Sequence, residues 1–85
     1  MNSYRLELKR SAEKELLALP EQIELRVTDA INALLENPFP HGFIKLTDRS
    51  ECRVKVGDYR IWYEVDTKAR VIEVVAIRHR REVYR

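Results

Sequence analysis

The stretch "CRVKVGDYRIWYEV", residues 52–65, decides the fold. Apolar and polar residues alternate on both sides of Gly57 and Asp58, the period of a strand whose neighbours point to opposite faces. Only two residues separate the two alternating runs, and glycine holds the first position. That is the pattern of a type II′ hairpin loop, whose first central residue needs a positive φ. So short a loop fixes the register: Val56 faces Tyr59, Lys55 faces Arg60, Val54 faces Ile61 and Arg53 faces Trp62. Cys52, Val54, Val56, Tyr59, Ile61, Tyr63 and Val65 then share the core face, and Arg53, Lys55, Arg60 and Trp62 share the other. Like charges directly opposed on a sheet are destabilising, on the scale of ~0.2–1 kcal/mol for cross-strand pairs. One such pair is ordinary solvated surface. Three cations gathered around one hairpin point to a polyanion partner.

Working upstream, "YRLEL" (4–8) alternates with Tyr4, Leu6 and Leu8 inward, a half-buried strand. Ser11 is suited to cap a short helix with Ala12, Leu16 and Leu19 on its apolar side. Pro20 ends that helix and opens the next, with Glu21 and Glu24 favourably placed at the N-terminal end of the helix dipole. Ile23, Val27, Ala30, Ile31 and Leu34 recur at helical spacing, and "NPFPHG" (37–42) stops the helix. "FIKL" (43–46) reads as a short strand. Downstream, "DTKA" (66–69) is a turn and "RVIEVVAI" (70–77) a strand apolar on both faces, hence interior to the sheet. The order is β-α-α-β-β-β-β: an α+β fold, an antiparallel sheet with a two-helix hairpin packed on one face, filling residues 1–85 as one domain.

Composition bounds the function. The chain of 85 residues is 45% apolar and 35% charged, with a formal net charge of +2. Residues 1–48 carry six Lys/Arg and eight Asp/Glu, whereas residues 49–85 carry ten and six. The positive half suits a local anionic partner. No apolar run approaches the roughly 20 residues of a membrane span, and "MNSYRLELKR" lacks the apolar core of a signal peptide, so a cytoplasmic location is expected. Cys52, His41 and His79 form no metal-ligand spacing, and neither a metal nor another cofactor is expected. The C-terminal "IRHRREVYR" (77–85) follows the last strand. If that strand lies beside 59–65, the tail emerges near the Gly57 turn, close to Lys55 and Arg60.

Taken in order, "YRLEL…SAEKELLALP", "KL", "CRVKVGDYRIWYEV" and "VVAIRHRREVY" resemble the RelE/ParE superfamily, toxins of bacterial and archaeal type II toxin–antitoxin operons. The resemblance spans nearly the whole chain, and its most specific parts are "RVKVGDYRIWY" and "HRREVY". It implies a RelE-like fold. It also implies an mRNA interferase: a ribosome-dependent endoribonuclease that cuts mRNA in the A site without metal, by attack of the ribose 2′-OH on the adjacent phosphate. The alternatives are a ParE-like gyrase-inhibiting toxin, a branch that generally lacks the basic catalytic set, and a non-catalytic nucleic-acid-binding module. The implied partners are a cognate antitoxin, the ribosome and mRNA, with operator DNA bound through the antitoxin.

Position by position, the resemblance places functional residues at Arg53, Lys55, Arg60, Arg80 and Tyr84, with His79 in the "H-R" pair. Some RelE-like members carry lysine where this chain has Arg53, and the short C-terminal segment leaves Arg78 as an alternative to Arg80. Metal-free cleavage needs a base, charge stabilisation at phosphorus and an acid for the leaving oxygen. Arginine stays protonated and cannot be the base. Lys55, whose uncharged form is favoured by the cations around it, and His79 are the candidates. Arg60 and Arg80 suit a bidentate grip on phosphate. Tyr84 suits either base stacking or proton donation. The expected catalytic set is therefore Lys55, Arg60, His79, Arg80 and Tyr84, with Arg53, Lys45, Arg78, Arg81 and Trp62 binding RNA.

Overall fold

A computed structural model describes residues 3–46 and 51–83. Five strands form one sheet: β1 (Arg5–Leu8), β2 (Ile44–Lys45), β3 (Glu51–Val56), β4 (Tyr59–Asp66) and β5 (Val71–His79), in the spatial order β1-β5-β4-β3-β2. Helices α1 (Arg10–Leu17) and α2 (Glu21–Glu36) separate β1 from β2, and a one-turn helix α3 (Arg80–Val83) follows β5. The doubly apolar β5 is interior, between β1 and β4, as its composition requires.

The hairpin register is the one the two-residue loop dictates, with Lys55 opposite Arg60 and Arg53 opposite Trp62. Gly57 has φ +59°, and Asp58 is not in the left-handed region, consistent with type II′ geometry. Side chains from α2 (Val27, Ile31, Leu34) meet Cys52, Ile61, Tyr63, Ile72 and Val74 of the sheet, with Ala12 of α1 completing the cluster. Tyr63 is fully buried, and its Oη donates to the Pro38 carbonyl at 2.7 Å. The "NPFPHG" breaker therefore also carries the acceptor that satisfies the core's phenol.

Three expectations are corrected. The sheet is not wholly antiparallel: β1 runs parallel to β5, with Leu6 opposite Ile72 and Leu8 opposite Val74. The helical hairpin between β1 and β2 supplies no local strand partner for β1, so it reaches the far edge beside β5. Ser11 is not a cap: α1 begins at Arg10 after Lys9, with no side-chain cap bond. The strand also outruns residue 77, continuing to His79 and leading into α3, where Arg80 N–H donates to Asp58 O at 2.7 Å. That bond ties the start of the C-terminal segment to the β3–β4 turn.

Candidate nucleic-acid interface

The sheet face away from α2 is organised as rows across the strands. Nearest the turn, Lys55 pairs with Arg60 and Arg60 pairs with Arg78, three cations abreast on β3, β4 and β5. The next row holds Ile44, Arg53, Trp62 and Ala76. Beyond it lies a carboxylate row, Glu51–Glu64–Glu73–Glu7. Two rows of like charge, one basic and one acidic, thus flank the tryptophan row.

One irregularity in β5 puts Arg78 in the basic row. The β4–β5 register shifts between Trp62 and Tyr63: Trp62 faces Ala76 and Tyr63 faces Val74, which leaves Val75 unpaired. A bulge of one residue reverses the facing of every side chain beyond it. Glu73 lies on the open face. Without the bulge Ile77 and His79 would follow it there, and Arg78 would point to the helices. With it, Arg78 joins Arg60, and His79 goes to the opposite face beside Tyr59, ring centroids 5.2 Å apart. Each local preference is satisfied too, since Ile77 becomes a core residue, 2% exposed.

Two of the three cations are held rather than splayed. Arg60 is 8% exposed, and its Nη1 donates to the carbonyls of Tyr59 (3.2 Å) and Gly57 (3.4 Å), so it braces the turn as well as charging the face. Arg78 lies over the Trp62 ring at 5.7 Å from the centroid, and its Nε donates to Glu15 Oε2 at 3.2 Å. Glu15 Oε1 accepts the Ile77 backbone N–H at 2.8 Å. Pairing between β1 and β5 ends near Val74, where Lys9 N–H donates to its carbonyl, so α1 supplies from Glu15 the acceptor that a longer β1 would have provided. Sequence reasoning missed Glu15, which lies 63 residues from Arg78 and belongs to no local pattern. Lys55 is exposed.

The remaining expected residues divide by place. Trp62 and Arg53 share the open face, as expected. Lys45 pairs with Cys52, on the parity of the helix side, and it is Ile44 that shares the row of Arg53. His79 is separated from Lys55 and Arg60 by the sheet. Its Nδ1 accepts the Arg81 N–H at 3.1 Å, and both residues line a groove with Tyr59, Ile77, Leu19 and Glu15. Arg80 is exposed at the start of α3, its Nε 3.8 Å from Asp58 Oδ1. Tyr84 lies outside the described residues. No cluster of three or more metal-ligating side chains occurs among the described residues. No described helix is long and apolar enough to cross a membrane.

The fold has solved counterparts. The toxin of the archaeal RelE–RelB complex from Pyrococcus horikoshii superposes with a TM-score of 0.82 at 28% identity, covering 92% of this chain and 96% of that one. The isolated Escherichia coli RelE toxin gives 0.81 at 25%, covering 96% and 92%. The intact E. coli RelBE toxin–antitoxin complex gives 0.79 at 23%, covering 88% and 94%, a likeness of fold. No curated protein matches the sequence. A family model described as the ParE toxin of type II toxin–antitoxin systems matches residues 6–84. Nearly the whole chain thus fits one family in sequence and its RelE relatives in structure, and the protein belongs to the RelE/ParE superfamily of type II toxin–antitoxin toxins.

Proposed function

We propose that this toxin is a ribosome-dependent endoribonuclease that grips mRNA on the open face of its sheet and is held inactive by a cognate antitoxin. The observation that carries the reading is the row Lys55–Arg60–Arg78. Three cations abreast oppose the stability of the sheet and suit a polyanionic nucleic-acid backbone. Arg78 and Arg60 hold the phosphate and stabilise charge on its oxygens in the transition state. Lys55, exposed beside them, takes the proton of the 2′-OH. Arg53 and Arg80 extend the basic surface, and Tyr84 keeps the role of acid or stacking partner that the family resemblance assigns. His79, on the opposite face, is left out of the catalytic set.

Such a site binds and polarises phosphate but has little with which to orient the 2′-OH in line. Orientation is worth up to ~7–11 kcal/mol of a barrier, and a ribosome holding the codon supplies it. The test is mapping of RNA 5′ ends after adding purified protein to translating ribosomes and to the same message alone. Cuts confined to ribosome-bound message support the reading; equal cutting of free RNA overturns the need for the ribosome. A second reading, inhibition of DNA gyrase, is favoured by the ParE description of the family match and by Leu17 and Leu25, 70% and 60% exposed on the helical hairpin. DNA-damage induction on expression, with translation intact, would select it.

A further inference from the structure

Beside the basic row lies a second feature that phosphate binding does not use. A groove of about 280 Å³ is lined by Trp62, Ala76, Val75, Leu46, Ser11 and Arg78, together with Lys9 and Glu51. Five parts of the fold converge there: the end of β2, the start of β3, the middle of β4, the bulge of β5 and the β1–α1 junction. Its apolar side comes from Ala76, Val75 and Leu46, and its aromatic wall is the only tryptophan of the chain. The volume is just below the ~300 Å³ at which pockets for drug-sized ligands begin, the scale of one planar ring system.

We propose that this groove is a nucleobase slot: it takes one base of the RNA strand whose phosphate lies on Lys55, Arg60 and Arg78. The inference rests on the phosphate reading above and adds a subsite to it. Arg78 belongs to both, since it ends the basic row and also lines the groove over Trp62. A base is flat enough for the slot and stacks on an indole irrespective of its identity.

Trp62 reports directly on its own occupancy. Purified protein is titrated with a tetraribonucleotide and with the same oligonucleotide made abasic at each position in turn. Intrinsic tryptophan emission and the anisotropy of an end-labelled copy are followed together. The intact oligonucleotide is expected to quench Trp62. One abasic position is expected to remove that quenching and weaken binding at least about fivefold, the lower end of a base–aromatic stack. Ser11→Phe, an exposed helix position, fills the slot without touching the core. This variant is expected to keep salt-dependent binding by anisotropy and lose the base-dependent quenching. Binding by anisotropy in which every abasic oligonucleotide quenches like the intact one, or in which Ser11→Phe quenches like the parent, overturns the slot alone. No binding by anisotropy overturns the phosphate reading and the slot with it.

Discussion

Cys52 and Tyr63 show how residues on one face of the hairpin acquire properties from the core. Burial pushes the Cys52 thiol above its ordinary value of 9.0, an effect partly opposed by the nearby Lys45 ammonium. Burial, with a smaller contribution from Cys52, also raises the Tyr63 phenol above its ordinary value of 10.0. Both groups hold their protons more tightly when folded, so the unfolded chain ionises first as pH rises. Stability should be insensitive to these groups below about pH 9 and fall progressively above it, which urea melts at stepped pH will show. The Cys52 thiol should react with a disulfide reagent slowly in the native protein and rapidly in denaturant. Tyr63→Phe removes the bond to Pro38 and leaves that carbonyl without its partner, a loss of about 1–3 kcal/mol in urea denaturation. Arg60 is the contrasting case. Because it braces the turn carbonyls, Arg60→Ala will lower stability as well as any activity, whereas Arg78→Ala, at an exposed position, will act on the site with little effect on the melt.

At the scale of elements, the β3–β4 turn carries the most consequence for its length. Gly57 sits at φ +59°, and a Cβ there would lie 3.2 Å from Arg26 Nη2 of α2. Gly57→Ala therefore combines left-handed strain with a crowded but flexible guanidinium. A loss of roughly 1–2 kcal/mol is expected from the backbone conformation alone, read as a lower urea midpoint at unchanged m-value. The turn also receives the Arg80 N–H, so the same substitution should loosen α3, with faster amide exchange from Arg80 onward. The Glu15 connection works at this scale too. It closes the part of the β5 edge that β1 leaves open, and it couples the first helix to the far end of the basic row.

At the scale of the whole molecule, the proposed docking of a small basic face on the ribosome would be electrostatic in origin. Ribosome-bound cleavage should fall steeply as salt rises, because each phosphate contact releases counterions. Rates measured between about 50 and 200 mM salt would show this, and a flat profile would contradict docking through the basic face. The antitoxin partner has a thermodynamic signature as well. A ligand that binds only the folded state adds stability in proportion to the logarithm of its concentration. Co-expression of the adjacent reading frame should therefore raise the melting temperature of the toxin and allow the two to be purified together; recovery of free toxin alone at micromolar concentration would count against such a partner.

The sequence by itself determined whatever depends on local periodicity and short connections. The 52–65 hairpin, its register and the two faces of β3 and β4 follow from a two-residue loop, and the helical hairpin follows from Pro20 and the 37–42 breaker. Lys55, Arg60 and Trp62 were therefore legible as neighbours. What the tertiary structure decided is non-local. The parallel placement of β1 beside β5 depends on which edge the chain reaches after two helices, which no local pattern encodes. The bulge at Val75 lies in "VVAI", where every residue is apolar and alternation is silent, yet it sends Arg78 to the basic row and His79 away from it. Glu15 meets Arg78 only because α1 lies across the uncovered edge of β5. Periodicity sorts side chains between faces only while the register is unbroken, and a one-residue shift is settled by packing of the assembled sheet.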